Sequence, residues 1–194
     1  LINWKYDHPG RKGLVIVKRA QIGVTTLVMS LMLKHADELG GPIMYMNGDR
    51  ESSMYWSREW LDLVLKGNPR LRDKFEDAVQ GDDRRETGVY RPFKGGSFNF
   101  FGGGSASGLT GRPYVNLVID ELDVIEDNFP AKAGSAWGFA KGRTLSVESQ
   151  AYVYAFSHPR RADTGICKIY LAECEPYSWT FDCPACAKPI SPAW

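Results

Sequence analysis

The sequence is short of several things that would narrow its class at once. It has no run of about 18 apolar residues, which excludes a helical membrane span. It carries no secretory leader pattern. Lys and Arg number 24 against 23 Asp and Glu, for a net charge of +1. No global basic field therefore attracts nucleic acid, and DNA contact would have to come from local patches. Arg11-Lys12, Lys18-Arg19, Arg84-Arg85 and Arg160-Arg161 are candidates, although such pairs are commonly just solvated surface. Cysteine is scarce, with four in 194 residues. That excludes a secreted disulfide scaffold and points to a reducing, cytoplasmic compartment. There is no internal repeat and no low-complexity linker. Residue 1 is not Met, and a cysteine pair stands close to Trp194, so the sequence is expected to be part of something longer.

What is present is an ordinary globular composition, 43% hydrophobic and 24% charged, enough for one domain with a core. Short apolar runs alternate with helical patterns. Residues 13–18 read as a buried strand and 24–39 as a helix stopped by Gly40-Gly41-Pro42. A second strand covers 43–46, and a turn over Asn47-Gly48-Asp49 leads to a helix over 51–65. Residues 67–88 read as a polar surface helix and loop. Further strands are predicted at 97–101, 115–119 and 151–156. Continuous apolar strands in strand–helix–strand order imply an α/β fold with a mostly parallel sheet covered by helices on both faces. Sites in such folds lie at the carboxyl ends of the strands.

The first strand-to-helix junction reads Lys18-Arg19-Ala20-Gln21-Ile22-Gly23-Val24-Thr25-Thr26. A phosphate loop normally reads G-x-x-x-x-G-K-[ST]. Gly23 and Thr25 stand where that pattern wants them, with Thr25 as an Mg²⁺ ligand. Lys18 occupies the first glycine position and Val24 the lysine position. Phosphates need backbone N–H groups at a helix N-terminus and a cation over the β- and γ-phosphates. Lys18 can supply that cation from the other arm of the loop, with Arg19 the alternative. An ordinary turn with a few basic residues is the plain reading of the same stretch.

Leu117-Val118-Ile119-Asp120-Glu121 is an apolar strand ending in two carboxylates, the Walker B pattern. Asp120 would hold Mg²⁺ and Glu121 would orient and deprotonate the attacking water. Asp123 extends the acidic cluster. A lone Asp-Glu after a strand often only caps the next helix, so the reading rests on the order of the motifs. Between them lies a Gly-rich loop, Gly102 to Gly111, ending in Arg112-Pro113. It is either a plain surface loop or a lining of the nucleotide or DNA side, with Arg112 as a γ-phosphate sensor or arginine finger. Ser157 ends the last strand and is a candidate link from the nucleotide to moving parts. His158 reads as a surface residue.

Cys183-Pro184-Ala185-Cys186 resembles half of a zinc ribbon. Cys167 and Cys174 are poorly spaced to complete it, and a second C-x-x-C beyond Trp194 is the better partner, so no complete Zn²⁺ site is expected here. A redox pair is the competing reading, without a thioredoxin-like context.

These elements in this order resemble the large terminase subunits of tailed bacteriophages, in particular the lambda-like branch. The points of likeness are the lysine displaced to Lys18, the stretch Gly48-Asp49-Arg50-Glu51-Ser52 leading to Trp56 and Trp60, and Gly111-Arg112-Pro113. They continue through Ile119-Asp120-Glu121-Leu122-Asp123 and end with Ser157-His158-Pro159 leading to the cysteine pair. The resemblance implies an ATPase, using ATP and Mg²⁺, that translocates double-stranded DNA into a procapsid. It implies work in the host cytoplasm with a small terminase subunit and a portal, as a homo-oligomer on that portal. It also implies a separate C-terminal metal-dependent nuclease. Residues 1–175 would then be the P-loop ATPase domain and 176–194 the start of a zinc-ribbon-like linker. Two other readings remain at this stage. One is a different helicase-like translocase. The other is a decayed ATPase that binds nucleic acid or capsid, favoured by Val24 and opposed by the intact Asp120-Glu121 pair.

Overall fold

The computed structural model describes residues 13–81, 89–104, 112–130, 134–147, 150–175, 177 and 180–190. Six strands form one sheet: β1 (Gly13–Val17), β2 (Gly41–Asn47), β3 (Tyr90–Phe93), β4 (Gly96–Gly102), β5 (Asn116–Asp120) and β6 (Tyr152–Ser157). Their spatial order is β1-β6-β5-β2-β4-β3. All neighbours run parallel except β3, which pairs antiparallel with β4. The expected α/β architecture is therefore present.

Among the described residues, helices connect and cover the sheet, with a single 3-10 turn at Leu145–Val147 besides. The helices are α1 (Val24–Glu38), α2 (Arg50–Tyr55), a π-helical turn (Trp56–Trp60), α3 (Leu61–Gly67), α4 (Pro69–Gly81), α5 (Leu122–Asn128), α6 (Ala136–Gly142) and α7 (Gly165–Glu173). Alternation along the strands divides the core in two. Ile43, Tyr45, Val118, Tyr154 and Phe156 face α1, α3 and α4. Met44, Met46, Leu117, Ile119 and Ala155 face α5, α6 and α7. A one-residue slip in any of these strands would exchange the two faces.

Three features depart from the sequence reading. β1 is half-buried throughout rather than buried, because only β6 pairs with it among the described residues. β3 was unpredicted. It is four residues long and contains Pro92, which a central strand does not tolerate but an edge strand does. The helix over 51–65 is broken by the π turn. That turn is gripped from β3: buried Arg91 donates from Nη1 to the Ser57 carbonyl at 2.7 Å and from Nη2 to Asp62 at 2.6 Å. A π turn leaves carbonyls without their usual helical partner, and Arg91 satisfies one.

A small antiparallel hairpin, β7 (Phe181–Asp182) with β8 (Pro189–Ile190), carries the Cys183–Cys186 knuckle.

Candidate nucleotide site

Parallel register brings the carboxyl ends of five strands to one line. Val17 pairs with Ser157, Asp120 with Phe156, Met46 with Ile119 and Asn47 with Gly102.

Lys18 follows β1 directly, and its N–H donates to the Ser157 carbonyl at 3.0 Å. Its side chain is 7% exposed and crosses the Phe156 ring, 5.6 Å from the centroid. The ammonium ends 2.7 Å from Glu121 Oε1 and 3.8 Å from Asp120 Oδ1. So the lysine at the start of the loop does reach the acidic pair 103 residues later.

The loop itself is open. Arg19, Ala20, Gln21, Ile22 and Gly23 are exposed. Gly23 caps α1 in the left-handed region, φ 81°, and no side chain caps the helix. The first-turn N–H groups of Val24, Thr25 and Thr26 are thus left for a ligand or water. Gln21 also has positive φ, 60°, a conformation that costs a non-glycine residue about 1–3 kcal/mol and often marks a functional loop. Val24 itself is buried in the core beside Val28 and Met29. A side chain in that position packs into the core and does not line the loop.

Thr25 Oγ1 donates to Asp120 Oδ2 at 2.9 Å. Tyr45 OH donates to the same oxygen at 3.0 Å, and Asn47 Nδ2 donates to Tyr45 OH at 3.0 Å. Asp120 Oδ1 is buried and accepts no hydrogen bond. Burial pushes the Asp120 carboxyl above the usual carboxylate range, and Lys18, Thr25 and Tyr45 pull it only part of the way back. Burial likewise pushes the Tyr45 hydroxyl well up, with Asp120 adding to it. A bare, buried carboxylate oxygen beside a threonine hydroxyl fits Mg²⁺, which takes one or two protein oxygens and fills its sphere with phosphate and water. The cation's charge would reverse the cost that Asp120 bears without it.

Glu121 is in the left-handed region, φ 57° and ψ 51°, at the start of α5. Its side chain is 31% exposed. The backbone twist turns the carboxylate away from the β5 face, toward Lys18.

The sequence matches the family profile described as phage terminase large subunit gpA, ATPase domain, over residues 6–194. The chain belongs to that family. Among curated proteins no sequence matches it. As a terminase large subunit ATPase domain, the chain works in phage DNA packaging.

The remaining residues singled out in the sequence fall elsewhere in this terminase domain. Asp123, though only two residues after Glu121, does not join the cluster. Its Oδ1 accepts from Ile166 N at 2.7 Å and its Oδ2 from Arg160 N at 2.9 Å. It braces the start of α7. Ser157 is fully buried and its Oγ accepts from Asp123 N at 3.2 Å, so it ties the end of β6 to the start of α5. Arg112 is exposed and lies before β5, at the opposite, amino-terminal edge of the sheet. Nearby Val115 N donates to the Pro42 carbonyl there. Arg112 is not brought to the acidic pair of its own chain. Of the Gly-rich loop, residues 105–111 lie outside the described residues, as do Arg11, Lys12, Arg84 and Arg85. Arg160 is paired with Asp127 at 2.6 Å, and His158 is exposed.

Cys183 N donates to the Lys188 carbonyl and Ala187 N to the Cys183 carbonyl, both at 2.8 Å. Backbone N–H groups of Ala185 and Cys186 lower the Cys183 thiol below its ordinary range. Cys167 and Cys174 instead pack against the α5–α7 core, where burial raises their thiols. Among the described residues no three His, Cys, Asp or Glu side chains gather to hold a metal.

Tyr45 and Asn47 were missed by sequence reasoning. The only signal was polarity out of place, a tyrosine and an asparagine in an Ile-Met-Tyr-Met-Asn strand.

Proposed function

We propose that this domain binds Mg·ATP on the Lys18–Thr26 loop and hydrolyses it to drive double-stranded DNA into a procapsid. The observation that carries the reading is Lys18. A lysine displaced by six positions still meets the Asp120-Glu121 pair, as a phosphate-binding cation must. The first-turn N–H groups of α1, together with Arg19 and Thr26, would cradle the phosphates. Thr25 and Asp120 would hold Mg²⁺, which neutralises charge building on the γ-phosphate. Glu121 would take a proton from the attacking water, once phosphate draws the Lys18 ammonium away from it. Ser157 would carry the change at the acidic pair into β6 and α5. Arg112, on the far edge, suits an arginine finger only toward a neighbouring subunit, consistent with a homo-oligomer. Charge stabilisation and positioning supply most of the rate in such chemistry.

The wider assignments belong to the same proposal. Residues 1–175 form the ATPase domain, and 176–194 begin a linker whose Cys183 and Cys186 supply half of a Zn²⁺ site. The full protein would carry a nuclease and work with the small terminase subunit and the portal in the host cytoplasm.

Calorimetric titration of Mg·ATP into the protein and into Lys18→Ala tests the reading. Binding is expected to be lost in the variant. Undiminished binding would remove Lys18 from the site and with it the displaced-lysine loop.

A further inference from the structure

Asp120 uses its two oxygens unequally. Oδ2 accepts from Thr25 Oγ1 at 2.9 Å, from Tyr45 OH at 3.0 Å and, more distantly, from Asn47 Nδ2 at 3.4 Å. Oδ1 accepts no hydrogen bond and has only the Lys18 ammonium at 3.8 Å. A carboxylate free to rotate about its bond would share donors between the two oxygens. This one is held with one oxygen saturated and the other bare.

The donors are themselves ordered in one direction. Gly48 N donates to Asn47 Oδ1 at 2.6 Å, which fixes which end of the amide is oxygen and which nitrogen. Asn47 Nδ2 therefore points at Tyr45 OH. With its lone pair engaged, the tyrosine hydroxyl directs its proton to Asp120 Oδ2. The relay runs from the β2–α2 turn through Asn47 and Tyr45 to Asp120.

Packing explains the ring of Tyr45 but not its hydroxyl. The ring lies against Phe100 at 5.7 Å and Trp56 at 6.3 Å, and the residue is fully buried. Phenylalanine would fill that space. A buried hydroxyl and a buried amide carry a desolvation cost unless their hydrogen bonds are made, and here they are spent on a single carboxylate oxygen.

We propose that Tyr45 and Asn47 are positioning residues that turn Asp120 Oδ1 toward the Mg²⁺ of the bound nucleotide. This rests on the Mg·ATP reading above. Outer-sphere partners of metal ligands characteristically alter metal affinity about 10–100-fold when removed.

The test is Mn²⁺ binding to the protein–ATP complex, followed by the paramagnetic resonance of free Mn²⁺. ATP affinity in EDTA is measured beside it. Tyr45→Phe deletes one oxygen atom and keeps the packing. It is expected to weaken Mn²⁺ binding roughly tenfold and to leave ATP affinity in EDTA unchanged. Asn47→Ala, which releases the tyrosine hydroxyl without touching the ring, is expected to shift Mn²⁺ affinity in the same direction. Asp120→Asn serves as the reference. If it loses Mn²⁺ while both other variants keep wild-type affinity, the positioning role is overturned and the nucleotide site stands. If Asp120→Asn also keeps wild-type Mn²⁺ affinity, or the wild-type complex holds no more Mn²⁺ than ATP does by itself, both readings are overturned.

Discussion

Replacing Asp123 with alanine separates the three carboxylates that stand together in the sequence as Asp120, Glu121 and Asp123. Asp123 is 4% exposed and receives two backbone donors, Ile166 N at 2.7 Å and Arg160 N at 2.9 Å. Ile166 is buried at the start of α7, whose own cap residue, Thr164, makes no side-chain cap bond. Removal of the carboxylate leaves the Ile166 N–H without a partner, while Arg160 lies on an exposed residue and can turn partly to water. A buried donor left unsatisfied costs about 1–3 kcal/mol, so the pair together should cost roughly 2–4 kcal/mol. For a domain of this length that is a fall in melting temperature of about 5–15 °C. Asp123→Asn keeps one oxygen for one donor and presents an NH₂ to the other, so its loss should be about half as large. Gly165, at φ 52°, sits so close to Asp123 Oδ1 that a Cβ there would collide with it, and Gly165→Ala should lower the melt through the same contact. Thermal unfolding followed by circular dichroism measures all three. Mg·ATP affinity should be unchanged in Asp123→Ala after correction for the folded fraction. A melt within about 2 °C of wild type would refute the bracing role, and a selective loss of Mg·ATP affinity would return Asp123 to the site.

Three further outcomes are expected. Glu121→Gln should lower ATP turnover at least about 100-fold, the scale of general base catalysis, and retain Mg·ATP binding. Persistent turnover would move the base elsewhere. The Glu173 carboxylate is held below its ordinary range, first by Lys141 Nζ at 2.6 Å and also by Trp137 Nε1 at 3.0 Å. A depressed folded-state pKa contributes stability that is present above the ordinary glutamate range and lost as pH falls through the lower folded value. Glu173→Gln should therefore flatten the acid limb of the melting curve, and an unaltered limb would show the pairing to be inconsequential. At neutral pH iodoacetamide should label Cys183 ahead of Cys167 and Cys174, since backbone N–H groups favour its thiolate while burial disfavours theirs. Peptide mass mapping decides the order.

The sequence by itself determined those parts that are local. Apolar runs set off by glycine, proline or charged residues placed β2, β4, β5 and β6 to within a few residues, because a buried parallel strand must be apolar on both faces. Lys18, Thr25, Asp120 and Glu121 could be singled out because Lys18 opens a strand-to-helix junction, Thr25 follows the Gly23 of that junction by two positions, and Asp120 and Glu121 close an apolar strand. The short helices α5, α6 and α7 and the edge strand β3 escaped, since few residues and a proline carry no periodic signal. Only the tertiary structure decided what the strand ends meet. The β2–β5 register, with Met46 beside Ile119, brings Tyr45 and Asn47 onto the face of Asp120, a relation between residues about 75 positions apart that no spacing encodes. With the left-handed turn at Glu121, two adjacent carboxylates share the Lys18 ammonium while only Asp120 meets Thr25 and Tyr45. The path of the chain into β5 leaves Arg112 at the far edge of the sheet, and two residues of helix carry Asp123 from the nucleotide side to α7. Pattern in sequence reports the chemistry a strand end can offer. Register and crossover decide which ends converge, because they fix distances between segments that the chain connects only through long detours.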